Sequence, residues 1–375
     1  MISQDRLIQE FMELVQVDSE TRNERQIADV LKSKFNALGL EVTEDDSQER
    51  TGHGAGNLFI TWPAENGGSA PKLLFTCHMD TVVPGQSIKP TLGADGWITS
   101  DGTTILGADD KAGLAALFEA IRVIQEQKLP HGQIQFVITA GEESGLLGAR
   151  SMDPSNLDAD FGFALDSNGE VGAIAVAAPT QAKITMQIFG KSAHAGVNPE
   201  DGISAIQVAS KAIAAMKLGR IDNETTANIG KFAGGGPTNV VCDHVQLDAE
   251  ARSIVQEKVG DQIASMREAL ETTVREYGAE CEFRSEIIYP AFSFNENDPV
   301  VQLAQRAITS MGLTPRLFHS GGGSDANVFN GLDVPTINLA VGYEHIHTTK
   351  ERIKAEDIVK VAELVVNIVK ESVKG

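Results

Sequence analysis

Cysteine is scarce: Cys77, Cys242 and Cys281 are the only three in 375 residues, an odd number without CxxC spacing. That argues against a disulfide framework, and free thiols inside apolar, strand-like runs are expected in a reducing compartment. No stretch is long and apolar enough to span a membrane. Met1-Ile2-Ser3-Gln4-Asp5-Arg6 begins an amphipathic helix and lacks the basic region and apolar core of a leader, so a cytoplasmic location with no membrane partner is expected. Positive charge is also short. With 31 Lys and Arg against 52 Asp and Glu, the formal net charge is −21, which excludes the basic face that nucleic acid or an anionic membrane surface rewards. A small molecule or short peptide is the expected ligand. Gly-x-Ser-x-Gly is absent and no cysteine lies in a recognisable nucleophile motif, which leaves little room for a metal-free hydrolase. Repeats, low-complexity tracts and long linkers are missing too.

The carboxylates that are present are grouped with imidazoles. Leu106-Gly107-Ala108-Asp109-Asp110-Lys111-Ala112-Gly113 sets two adjacent acids where a glycine-bearing loop becomes an apolar helix over residues 110–127. Helix capping and metal binding both account for such a pair. Its company favours metal: Thr76-Cys77-His78-Met79-Asp80 upstream, Ala140-Gly141-Glu142-Glu143-Ser144-Gly145 and Ala164-Leu165-Asp166-Ser167 downstream, and His345-Ile346-His347-Thr348-Thr349 near the end. Apolar runs over 72–77, 134–139 and 161–165 read as strands covered on both faces, and each delivers an acid or imidazole at its carboxyl end, where ligands of open α/β sheets gather.

The remaining pattern divides the chain. Apolar spacing in Leu7, Phe11, Met12 and Val15, and in Ile27, Val30, Leu31, Phe35 and Leu38, predicts two helices, followed by short strands over 40–43 and 57–62. Hydrophobic content of 42% with 22% charged residues is that of a folded protein, and the length predicts two domains. After Pro179 the order becomes β-α-β-β-α-β: strand 181–189, helix 202–216, strands 226–233 and 240–254, helix 259–277, strand 281–289. That is a ferredoxin-like α+β sandwich, expected as a lid or dimerisation domain over residues 179–291 inserted into an α/β domain formed by 1–178 and 292–375.

Amide hydrolysis at neutral pH needs an activated water, a Lewis acid on the carbonyl and a proton carrier. His78, Asp109, Glu143, Asp166 and His347 offer five nitrogen and oxygen donors of the kind zinc accepts. Glu142 is left to move protons. Asp80, two residues after His78, is placed to fix that imidazole's tautomer. Cys77 points to the other strand face by alternation and reads as a packed thiol. His53 and His131, in polar loops, read as solvated.

His78-Met79-Asp80-Thr81-Val82, Gly107-Ala108-Asp109-Asp110-Lys111-Ala112-Gly113, Gly141-Glu142-Glu143-Ser144-Gly145, Asp166-Ser167 and His347-Thr348-Thr349-Lys350-Glu351 resemble, in order, the motifs of the co-catalytic zinc peptidases that include peptidase T, carboxypeptidase G, aminoacylase and the succinyl-diaminopimelate deacylases. The doubled aspartate and doubled glutamate are most similar to the peptidase T branch. The resemblance implies a catalytic domain built on a mixed sheet flanked by helices, and two divalent ions per chain, zinc with cobalt or manganese as alternatives. One ion takes His78 and Asp166, the other Glu143 and His347, and Asp109 bridges them. Glu142 is then the general base and Asp80 the orienter of His78. A cis peptide at Asp109–Asp110 is implied as well. His347 is preferred to His345 because Thr348 and Glu351 extend the match. His194, in Gly190-Lys191-Ser192-Ala193-His194-Ala195-Gly196, corresponds to a residue that reaches the partner subunit's site in a homodimer, with loop capping as the alternative. Asn239 and Arg252 correspond to binders of the substrate carboxylate, with a surface ion pair as the alternative for Arg252. Gly322 and Gly323 offer backbone amides to the same carboxylate, or form a turn. The activity implied is metal-dependent hydrolysis of short peptides, as an aminotripeptidase releasing the N-terminal residue. An N-acyl amino acid deacylase or carboxypeptidase is the alternative within the family, and a non-catalytic binding protein the alternative outside enzymology.

Overall fold

A computed structural model describes residues 1–374. The chain forms two compact units: Met1–Ala177, Phe294–Ser320 and Ser324–Gly375 in the first, Ala178–Ser293 and Gly321–Gly323 in the second.

The first unit is built on a mixed sheet whose central strands Ile134–Thr139, Leu73–His78, Phe161–Ser167 and Thr336–Ala340 run parallel in that order. Leu58–Trp62 adds antiparallel on one side and Ala173–Ala178 on the other. Leu73–His78 and Ile134–Thr139 are buried at every position, as expected of strands covered on both faces. The helix Ala108–Gln127 is buried along nearly its whole length, packed by the sheet and by the helices Gln4–Val15 and Ala355–Lys374, and its small residues Ala112, Ala115, Ala116 and Ala120 are fully buried. Two features differ from the sequence reading. The strand expected over 40–43 shrinks to Thr43–Glu44. A separate antiparallel trio, Thr91–Leu92, Trp97–Thr99 and Arg352–Lys354, is too short to leave a periodic signal.

The second unit pairs Thr225–Gly234, His244–Ser253, Thr180–Phe189 and Glu280–Tyr289 antiparallel in that spatial order, with the two-residue strand Gly219–Arg220 at one edge. Helices Ala205–Ala215 and Gln256–Tyr277 cover the sheet through Val208, Ala212, Met266 and Leu270. This is the ferredoxin-like order. The strand expected over 240–254 begins only at His244, so Asn239 lies in an exposed turn. Gly321–Gly323 groups with this unit because Gly323 lies against Tyr289, whose ring atoms would stand 2.3–2.6 Å from a Cβ at that position.

Candidate metal centre

Strand register brings the donors together. Thr76 pairs with Ala164, so two residues later His78 comes level with Asp166. His78 pairs with Thr139 on the other side, and the chain beyond Thr139 turns through Gly141 into Glu142 and Glu143. The fourth group arrives at the head of the buried helix. There Asp109 and Asp110 depart from helical backbone, and the Asp109–Asp110 peptide is cis, as the resemblance implies.

Asp109 faces both ways. Its Oδ1 lies 3.0 Å from His78 Nε2 and its Oδ2 3.3 Å from His347 Nε2. His78 Nε2 is also 3.8 Å from Asp166 Oδ1, and His347 Nε2 is 3.0 Å from Glu143 Oε1. Two donor groups therefore share one carboxylate, His78–Asp109–Asp166 and Asp109–Glu143–His347, each with its donor atoms within 4.8 Å of one another. A third group joins His78, Glu142 and Glu143 within the same limit. The Asp109 carboxylate is occupied by imidazoles instead of the amides of the helix's first turn, so capping does not explain it. His345 lies outside these groups, 4.0 Å from Glu344.

Four acids, Asp109, Glu142, Glu143 and Asp166, thus crowd two imidazoles. Like charges about 4 Å apart repel by about 4 kcal/mol at an effective dielectric of ~20. Burial and this crowding raise the pKa of three of the four, while the two imidazoles hold the Asp109 carboxyl well below the usual carboxylate range despite its burial. Burial, then the neighbouring Asp109 charge, pushes the Asp166 carboxyl well up, and burial with Asp166 does the same to Glu142. Hydrogen bonds that its ring donates to the Asp109 and Glu143 carboxylates lift His347 to about 10. A donor set of nitrogen and carboxylate oxygen with surplus buried negative charge fits a pair of hard or borderline divalent cations, and one carboxylate shared between the groups fits a bridge.

The family described as Peptidase family M20/M25/M40 matches residues 74–371, most of the chain. The chain belongs to that family. Among solved structures it is similar to an aminopeptidase PepT from Bacillus cereus, at 60% identity and a TM-score of 0.94 over 99% of each chain. It is also similar to a tripeptidase from Staphylococcus aureus, at 50% identity and a TM-score of 0.97 over 100% of each. A peptidase T from Geobacillus kaustophilus is 28% identical over 93% of this chain and 92% of its own. The resemblance to peptidase T drawn from the motifs is borne out, and the protein is an M20 peptidase.

Several residues hold this peptidase's cluster in ways the sequence did not reveal, although Glu351 belongs to the closing motif. Glu351, buried, accepts the amides of Leu106 (2.7 Å) and Gly107 (2.8 Å) on one oxygen and that of Asp109 (3.1 Å) on the other, fixing the loop that carries Asp109. Tyr343 donates its hydroxyl to Asp166 Oδ1 at 3.1 Å. Asn338 holds the Asp166 backbone by a reciprocal pair, donating to the carbonyl oxygen at 2.7 Å and accepting the amide at 3.0 Å. Tyr343 could have been suspected from its place just before the closing histidine motif; Asn338 carries no such signal.

Asp80 has a second set of partners beyond the expected one. His78 Nδ1 bonds the Asp80 backbone carbonyl at 2.9 Å, while the Asp80 carboxylate, 3.6 Å away, accepts the amides of Glu142 (3.0 Å) and Glu143 (3.2 Å). One residue thus fixes His78 with its main chain and the glutamate pair with its side chain. His53 and His131 are not solvated: both are buried, His131 against Trp62 at 4.3 Å between ring centroids and His53 against Ser144.

The remaining predicted residues belong to the second unit. His194 is exposed and its Nδ1 accepts the Gly196 amide at 3.1 Å, the loop-capping contact. The Ala195 amide donates to the Asn239 carbonyl at 2.9 Å, so the loops bearing His194 and Asn239 run side by side. Arg252 is half-buried and engaged by Glu250, Nε to Oε1 at 2.9 Å and Nη2 to Oε2 at 3.2 Å, with Tyr289 Oη at 3.5 Å. Gly322 is exposed and Gly323 is covered by Tyr289. No helix among the described residues is long and apolar enough to cross a membrane.

Proposed function

We propose that this M20 peptidase is a di-metal aminotripeptidase of the cytoplasm, removing the N-terminal residue from tripeptides. The observation that carries the metal assignment is Asp109, whose two oxygens face His78 and His347 separately. His78 and Asp166 would hold one divalent ion, Glu143 and His347 the other, with Asp109 shared. Zinc suits the donors; cobalt and manganese are the alternatives. Such ions supply Lewis acidity toward the scissile carbonyl and lower the pKa of water. Glu142 takes the proton of the attacking water as the new C–O bond forms, and returns it to the amine nitrogen as the C–N bond breaks. Asp80 holds the backbone of that glutamate in place. The substrate's C-terminal carboxylate is received by Arg252, Asn239 and the Gly322 and Gly323 amides, which restricts substrates to short peptides.

The names of the two solved relatives, an aminopeptidase and a tripeptidase, support the substrate. Comparing a free tripeptide with its N-acetylated form tests it. A rate kept or raised by acetylation turns the reading toward a deacylase or carboxypeptidase. The same enzyme with Glu142→Gln should bind metal and lose at least about 10²- to 10⁴-fold in turnover. We further assign a homodimer through the second unit, with His194 serving the partner's site to stabilise the developing oxyanion. Inactive Glu142→Gln and inactive His194→Ala chains, mixed with verified subunit exchange, should then regain activity; failure to do so assigns His194 to its own chain or to no catalytic role.

A further inference from the structure

The loop that carries Glu142 is gripped from beneath by a histidine lying outside the segment matched to the family, which begins at residue 74. The His53 side chain is 1% exposed. Its Nε2 lies 2.8 Å from Ser144 Oγ, and that hydroxyl lies 3.1 Å from the Gly141 carbonyl oxygen. A carbonyl can only accept, so the Ser144 hydroxyl donates to it, and the His53 Nε2–H donates to Ser144 Oγ. The ring also fills the space under Gly141, which has φ +69; a Cβ there would meet Nε2 at 2.4 Å. Around the ring stand Thr21, with Oγ1 3.5 Å from Nε2, and Glu24, with Oε1 at 4.0 Å. Glu24 is itself fixed by the Arg22 and Gly54 amides at 2.6 and 2.7 Å. On the other side of the loop, the Asp80 carboxylate takes the Glu142 and Glu143 amides.

We propose that His53 is a positioning residue for Glu142, holding residues 141–144 through the Ser144 hydroxyl so that the Glu142 carboxylate stays within reach of the attacking water. This rests on Glu142 being the general base. The glutamate pair follows a buried strand but stands on a turn: Asp80 takes its amides, the Gly145 and Leu146 amides hold the Glu142 carbonyl, and the Leu147 amide shares the Gly141 carbonyl with Ser144. The His53–Ser144–Gly141 chain adds a side-chain grip that sets how the turn sits over the buried ring. Misplacement of a reacting group by about 1 Å costs on the order of 10²-fold in rate.

The test exploits reach. His53→Gln carries an amide nitrogen to the position of Nε2, whereas His53→Asn stops at the level of Nδ1. On a free tripeptide, His53→Asn and Ser144→Ala should each lower kcat by about 10- to 100-fold with KM little changed. The double variant should fall no further than the singles. His53→Gln should recover most of kcat. Wild-type kcat in His53→Asn or in Ser144→Ala overturns the inference, as does a double variant with the product of the single losses. His53→Gln falling as far as His53→Asn also overturns it, since that outcome marks packing alone. If His53→Asn does not fold, Ser144→Ala and His53→Gln carry the test. Glu142→Gln, run alongside, separates the two readings. Wild-type turnover there removes the general base itself, whereas an inactive Glu142→Gln beside a fully active His53→Asn removes only the role of His53.

Discussion

In the first unit, His78, Asp109, Glu143 and Asp166 converge from a helix head and from strand ends or the turns just beyond them and are largely buried, while His347 joins them from a half-exposed loop. In the second, His194, Asn239 and Gly322 are exposed on loops, and Arg252 is engaged by Glu250 on its own strand. The difference separates two kinds of functional residue. Groups placed by parallel register cannot be moved independently, so removing one leaves its partners buried and uncompensated. Groups on loops keep a local partner and can exchange it for a ligand. Changes in the first unit should therefore abolish chemistry, and changes in the second should alter affinity.

The largest effect tests the shared carboxylate. Asp109→Ala should release both ions together, measured by elemental analysis after dialysis, with a loss of metal affinity above the roughly 10- to 100-fold typical of changes to supporting residues. Loss of one ion with retention of the other would break the proposed bridge. Glu351→Gln should weaken metal binding less than Asp109→Ala, because it keeps a carbonyl oxygen for the Leu106 and Gly107 amides while losing the charge.

Arg252 sharpens the other side of the comparison. If it receives the substrate carboxylate, Arg252→Ala should raise KM for a free tripeptide by about 10- to 100-fold, the equivalent of a charged hydrogen bond worth about 1.5–3 kcal/mol, and change a C-terminally amidated peptide little. Glu250→Gln, which weakens the present ion pair, should lower KM for the free peptide. Both peptides responding alike would leave Arg252 a local ion pair.

The smallest effect lies far from the cluster. Burial opposes the Glu44 charge, but Arg25, Lys32 and the Gly56 amide outweigh it and hold its pKa at about 2. A carboxyl depressed on folding adds stability above its unfolded pKa, near 4.5, and loses it as pH falls toward 2. Glu44→Gln should lower Tm at pH 7, and the gap to wild type should close as acid unfolding is followed toward pH 2. A gap independent of pH would assign the loss to packing.

The candidate metal donors His78, Glu143 and Asp166 were legible because each follows an apolar run, and such runs announce a strand whatever surrounds them; Asp109 and His347 were legible from their motifs. The tasks of Glu351, Tyr343 and Asn338 were not, even though Glu351 extends the closing motif, since a buried acceptor on a loop, a phenol and an amide look the same in sequence whether they hold a site or face water. Asp80 was named for one of its two tasks: spacing of two places it beside His78, but only the turn after Thr139 brings the Glu142 and Glu143 amides to its carboxylate. His53 was misread for a similar reason, because the polar and glycine-rich residues around it resemble a solvated loop until the Gly141 turn closes over its ring.

By itself the sequence determined the family, the α/β unit with its inserted α+β sandwich, and the set of candidate donors, because apolar periodicity and the chemistry of side chains are local properties. Which oxygen of Asp109 faces which imidazole, what fixes the glutamate pair and which arginine contact is already taken were decided by tertiary structure alone. Those depend on register between strands far apart in the chain and on the exclusion of water from groups that would otherwise be solvated, and neither is written at any single position.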